Sequence, residues 1–117
     1  MLKFFKKSTA NNIKKNKREI FDINEISYNE VKNKLKEGAI LIDVRSMQEF
    51  KEKHIDGAIL MPYYEIAKDI EKKVTDKTKE IIVYCQNGGR AKKAIKILEK
   101  LGYQTTYSLK GGIETIL

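Results

Sequence analysis

Apolar residues recur along this chain in two rhythms, and the alternation between them predicts its architecture. Short runs rich in β-branched residues occur at Ile20–Ile23 (IFDI), Ala39–Val44 (AILIDV), Ala58–Leu60 and Ile81–Cys85 (IIVYC), with a last run in YQTTYSL, residues 103–109. Those at 39–44 and 81–85 are nearly continuous rather than alternating, as strands covered on both faces should be. Between the runs, apolar residues return at helical spacing. Val31 and Leu35 are four apart, as are Ile66 and Ile70. Ala91, Ala94, Ile95 and Leu98 share one face of a longer segment whose lysines cover the other.

Punctuation residues set the boundaries. Ser27 with Glu30, and Ser46 with Glu49, are capping boxes that each open a helix. Gly38, Gly57 and Gly102 fall where a helix or turn must end. Pro62 is placed to open a helix running to about Val74, since proline suits a first helical position. GGIETIL predicts a last helical turn at the C-terminus. Strands alternating with helices imply an α/β domain over residues 20–117. Its central sheet is expected to be five-stranded and mostly parallel, with helices on both faces and right-handed crossovers.

Composition narrows the function classes. The 117 residues suit one domain, and 41% hydrophobic with 34% charged is a globular composition. No run approaches the roughly 18–20 consecutive apolar residues of a membrane span. The basic start MLKFFKKSTA lacks the apolar block of a secretory signal. The net charge of +8 hints at nucleic acid until it is located. Residues 1–18 hold seven bases and no acid, which leaves residues 19–117 with 17 bases against 16 acids. Residues 1–19 therefore read as a flexible basic leader, without the aromatic interleaving of a nucleic-acid arm. A nucleic-acid partner is not expected, and a monomer is. A lone cysteine forms no internal disulfide, so a reducing, cytoplasmic setting is expected.

That cysteine ends the most strand-like run, and CQNGGR follows it into a helical pattern. In open α/β sheets, function gathers at the carboxyl ends of strands. A strand, a tight loop and a helix N-terminus turn backbone N–H groups and a helix dipole toward whatever the loop holds. Gly88 and Gly89 let the chain curl without side chains in the way. The pattern predicts an anion cradle with sulfur at its floor, in which the nucleophilic thiolate form of Cys85 is favoured. Read by itself, a cysteine ending an apolar strand is a small buried hydrophobe. Two glycines and a cation aimed back at it are not required by that role.

CQNGGR resembles the active-site loop of the rhodanese-like sulfurtransferases. LIDVRSMQEF, HIDGAI, RAKKAIKILEKLGY and LKGGI resemble further pieces of that family, in its order, from about Ile20 to Leu117. The resemblance implies a rhodanese-like fold and sulfur transfer through a persulfide on Cys85. The sulfur would come from thiosulfate or another small sulfur-containing anion, or from a persulfide donor protein, and would pass to a thiol or cyanide. It implies no cofactor and no metal. Gln86, Asn87, Gly88 and Gly89 would form the substrate-binding loop, and Arg90 would hold its shape and add positive potential. The family often has arginine directly after the cysteine; Gln86 stands there in this chain, which lowers the expected preference for a dianion. Two alternatives stay open. One is a non-catalytic binding or regulatory module on the same fold. The other is a phosphatase, whose loop has five residues between cysteine and arginine against four here, or an arsenate reductase, whose cysteine relay would want cysteines beyond the single one present.

Other polar residues read more simply. Asp43 and Arg45 flank a strand end and are expected to support the site as an ion pair, with Asp43 orienting Arg90 or the loop. Glu49 reads as a capping-box residue and His54 as a cap or packing group at a helix end. Tyr63 and Tyr64 read as aromatic packing at a helix start. Lys92, Lys93, Lys96 and Lys100 read as a solvated face.

Overall fold

A computed structural model describes residues 24–116. The basic leader at 1–19 and the strand expected at Ile20–Ile23 lie outside the described residues. The described chain runs β1 (Glu25–Ile26), α1 (Tyr28–Lys36), β2 (Ile40–Asp43), α2 (Met47–Glu52), β3 (Ile59–Leu60), α3 (Ile66–Lys73), β4 (Ile81–Tyr84), α4 (Gly89–Lys100) and β5 (Thr106–Leu109), then a 3-10 turn at Ile113–Ile116. The strands form one sheet in the order β1-β5-β4-β2-β3, with every pairing parallel. This is the α/β architecture the alternation of rhythms predicts.

The near-continuous apolar runs are explained by the two cores. Ile81 and Val83 face one core with Ile42, Val44, Ile66, Ile70, Ala91, Ala94 and Leu98, which joins the sheet to α3 and α4. Ile82 and Tyr84 face the other, with Leu41, Val31, Ile55, Leu109 and Ile113. β4 sits at the centre and is buried along its whole length. Cys85 continues its alternation onto the α3/α4 side.

Both capping boxes close reciprocally. The hydroxyls of Ser27 and Ser46 accept the amides of Glu30 and Glu49, whose carboxylates accept the serine amides in return. The lysines of α4 at 92, 93, 96 and 100 are exposed. Several boundaries differ from expectation: β1 falls at Glu25–Ile26, where no strand is expected, β5 is confined to Thr106–Leu109, and two further differences have a visible cause. α3 begins at Ile66 rather than at Pro62. Parallel pairing carries on past β3, with Met61 N–H donating to Asp43 O at 2.8 Å and Tyr63 N–H to Val44 O at 3.0 Å. That pairing holds Pro62 in extended chain, and its carbonyl then accepts Glu65 N–H in a turn ahead of the helix. β4 stops at Tyr84, not Cys85, because Tyr84 O takes the last rung from Val44 N–H while Cys85 O accepts from Ile113 N–H.

Candidate active site

β4 and α4 are separated by four residues, Cys85 to Gly88, at the carboxyl edge of the central strand. Gly88 is the N-cap of α4 and adopts φ +108°, a left-handed conformation that L side chains rarely take. No side chain caps the helix from that position. The acceptor is sulfur instead. Gly88 N–H donates to Cys85 Sγ at 3.0 Å, and Ala91 N–H, three residues into the helix, donates to it at 3.4 Å. The thiol thus occupies the place of an N-cap oxygen, against the positive end of a twelve-residue helix.

Cys85 is fully buried, as a core cysteine would be. Its surroundings are not those of a core cysteine, because two main-chain donors are aimed at its sulfur. Asn87 and Gly89 above it are exposed. Asn87 does not donate into the loop; its Oδ1 accepts Gly89 N–H at 3.2 Å. Among the described residues, the amides of Gln86, Asn87 and Arg90 have no acceptor within the protein.

Two ion pairs frame the loop. Asp43, at the end of β2, and Arg45 are both buried, with Arg45 Nη2 2.7 Å from Asp43 Oδ2 and Nε donating to both carboxylate oxygens. Arg45 also donates to Lys53 O at 2.6 Å and to Gln86 Oε1 at 3.3 Å. Asp43 therefore reaches the loop through Arg45 and Gln86, and makes no hydrogen bond to Arg90. The partner of Arg90 is Glu49, in a two-pronged contact at 2.8 and 2.9 Å. That hydrogen bonding, with help from the Ser46 amide and against the cost of burial, lowers the Glu49 pKa from 4.5 to about 2. The same contact raises that of Arg90.

The structure brings Cys85, Gln86, Asn87, Gly88, Gly89, Arg90, Asp43 and Arg45 to one edge of the sheet. It adds Glu49 and the Ala91 amide, which reading the sequence passed over. Glu49 was legible only as a cap; a carboxylate in the first helical turn after a strand end, in a chain with a loop cation, is the signal that could have found its second role. His54 is engaged locally, donating from Nδ1 to Phe50 O at 2.8 Å and stacking on the Phe50 ring at 3.8 Å. Tyr63 and Tyr64 pack edge to face ahead of α3, and Tyr64 is exposed.

Comparison with known proteins agrees with this geometry. The family model described as Rhodanese-like domain matches residues 27–117. Thiosulfate sulfurtransferase PspE of Escherichia coli (strain K12) is 36% identical over 75 residues, covering 64% of this chain and 71% of that protein. Thiosulfate sulfurtransferase GlpE of Pseudomonas savastanoi pv. phaseolicola is 35% identical over 78 residues, covering 67% and 72%. A solved E. coli rhodanese with anions superposes with a TM-score of 0.62 at 32% identity, covering 66% of this chain and 89% of that one. A parallel five-stranded sheet, a cysteine-floored loop at its carboxyl edge and these matches lead to one assignment: the chain belongs to the rhodanese-like domain family.

Proposed function

We propose that this rhodanese-type sulfurtransferase carries sulfur as a persulfide on Cys85. The observation that carries the reading is the pair of main-chain N–H groups aimed at Cys85 Sγ. They stabilise the thiolate, the form that attacks. With thiosulfate as donor, the Cys85 thiolate attacks the outer sulfur. A new S–S bond forms, the old one breaks, and sulfite leaves with its electron pair. The persulfide's terminal sulfur now carries the negative charge. The amides of Gln86, Asn87 and Arg90, which lack acceptors among the described residues, are the donors available to it. An incoming thiolate or cyanide then takes that sulfur, and the Cys85 thiolate returns.

Arg90 holds the loop against α2 through Glu49 and supplies positive potential at its rim. Asp43 and Arg45 hold the Gln86 side chain. Arg45 and Arg90, which frame the loop, are each matched by a carboxylate, so neither offers an unpaired charge to a dianion. A persulfide borne by a thiol, small or on a partner protein, suits that rim better than a dianion.

The test is intact-mass spectrometry of the protein after thiosulfate, then after cyanide. Wild type gains the mass of one sulfur and loses it again, while Cys85→Ser gains none. A wild type that gains no sulfur from thiosulfate or from a small-thiol persulfide overturns the reading in favour of a docking module.

A further inference from the structure

The C-terminal turn after β5 presses on the candidate loop from behind. Ile113 N–H donates to Cys85 O at 2.9 Å, and Glu114 N–H donates to Gln86 O at 3.2 Å. In a trans peptide the C=O and N–H of one unit point in opposite directions. Pinning the carbonyls of Cys85 and Gln86 to the turn therefore aims the amides of Gln86 and Asn87 the other way, toward the side of the loop away from the turn. The approach is close. A Cβ on Gly112 would lie 2.7 Å from Asn87 N and nearer still to the Gln86 carbonyl. Both are main-chain atoms and have no side-chain torsion with which to yield.

We infer that Gly112 is a positioning residue, whose missing side chain lets the C-terminal turn clamp the carbonyls of Cys85 and Gln86 and so orient the sulfur-binding amides. The inference rests on the persulfide reading above. Gly112 touches no reacting atom. Its effect passes through the Cys85–Asn87 main chain, where a shift of about 1 Å in a preorganised site can cost up to about a hundredfold in rate.

The neighbouring glycine supplies the control. Gly111 and Gly112 have φ +76° and +75°, so alanine is strained alike at both. A Cβ on Gly111 would instead meet Thr115 Cγ2 at 2.5 Å, the end of an exposed side chain that can turn aside by giving up its Oγ1–H bond to Gly112 O at 2.8 Å, without touching the loop. Gly111→Ala and Gly112→Ala are compared at equal folded fraction, measured by circular dichroism. The readouts are the rate of persulfide formation from thiosulfate and the lifetime of the isolated Cys85 persulfide. Gly112→Ala is expected to form persulfide about ten- to a hundredfold more slowly and to lose it sooner; Gly111→Ala stays within about twofold of wild type. Equal values in the two variants overturn the inference. Glu114→Pro decides the matter if Gly112→Ala does not fold. It replaces the second clamp donor, at an exposed first-turn position, with a ring Cδ that Gln86 O cannot bond, so that carbonyl is released from the turn. It is expected to slow persulfide formation several-fold, and wild-type rates there also overturn the inference. Wild type is loaded in parallel, because its failure to take up sulfur would sink the persulfide reading and not the clamp.

Discussion

Arg90 and Glu49 meet face to face, each terminal guanidinium nitrogen donating to one carboxylate oxygen at 2.8 and 2.9 Å. The pair joins the first turn of α4 to the first turn of α2, and Glu49 caps α2 through Ser46 at the same time. One carboxylate thus anchors both walls of the candidate site. Its pKa falls from 4.5 to about 2, and a depressed carboxyl stabilises the folded state above its unfolded value. That stabilisation is complete above about pH 5 and is lost as pH drops from about 4.5 toward 2. With the pair partly exposed to solvent, it amounts to about 1–2 kcal/mol. Glu49→Gln should be less stable than wild type by that amount at pH 7, and the gap should shrink to less than about half by pH 3, closing only near pH 2. Urea unfolding at pH 7, 4 and 3 checks this. A gap that persists unchanged at pH 3 rules out ionisation as its source.

Gly88 offers a backbone test. Its φ of +108° aims its N–H at Cys85 Sγ, yet an added Cβ would meet nothing closer than Gly111 N at 3.9 Å. Alanine there would lose by conformation and not collision, and valine adds two γ-methyls to the same strain. Valine in the left-handed region costs on the order of 1–2 kcal/mol and relaxes by turning the amide away. Gly88→Val should form persulfide more than about tenfold slower while keeping a folded-state spectrum. Near-normal turnover would mean that this amide contributes nothing to the chemistry.

Burial of Cys85 predicts selection by size. The sulfur is fully covered and lies under a loop whose exposed residues are Asn87 and Gly89. Reagents no larger than thiosulfate should modify it readily, while bulky aromatic disulfides should be slower by at least about tenfold relative to a model thiol. Equal relative rates for small and bulky reagents would show that the loop opens freely.

Much of this was legible in residue order, and what was not depended on distant partners. Both capping boxes are local, so Ser27–Glu30 and Ser46–Glu49 could be read from spacing. The α4 face of Ala91, Ala94, Ile95 and Leu98 was equally plain, since burial follows helical period. The start of α3 was missed because Tyr63 pairs with Val44, nineteen positions earlier, and no local signal records that. The loop's chemistry was visible in CQNGGR, but the direction of its amides depends on Ile113 and Glu114 from the far end of the chain. Arg90 announced itself as a cation, while its partner stood 41 positions away under another role. Contacts within one element are written in its period; contacts between elements are fixed by packing, which the order of residues does not display.

Gln86 is where donor preference can be tested. Its Oε1 is held 3.3 Å from Arg45 Nη1, whose own charge is taken up by Asp43. Arg90 is likewise matched by Glu49. Gln86→Arg would place a new guanidinium next to Arg45. Like charges at that distance repel by roughly 1 kcal/mol even in water and by more where water is scarce. The new side chain would be driven from the Arg45 side toward the solvent-facing rim. A dianion such as thiosulfate would gain one attractive charge on approach, and a neutral persulfide carrier would gain none. The KM for thiosulfate should then fall several-fold with kcat nearly unchanged, since the attraction acts before the chemical step. The gain should shrink as salt rises from 0.05 to about 0.5 M, because exposed charges are screened over about 10 Å at 0.1 M. Turnover with a neutral persulfide donor should change by less than about twofold. An unchanged thiosulfate KM at low salt would show that donor choice is not set by charge at this position.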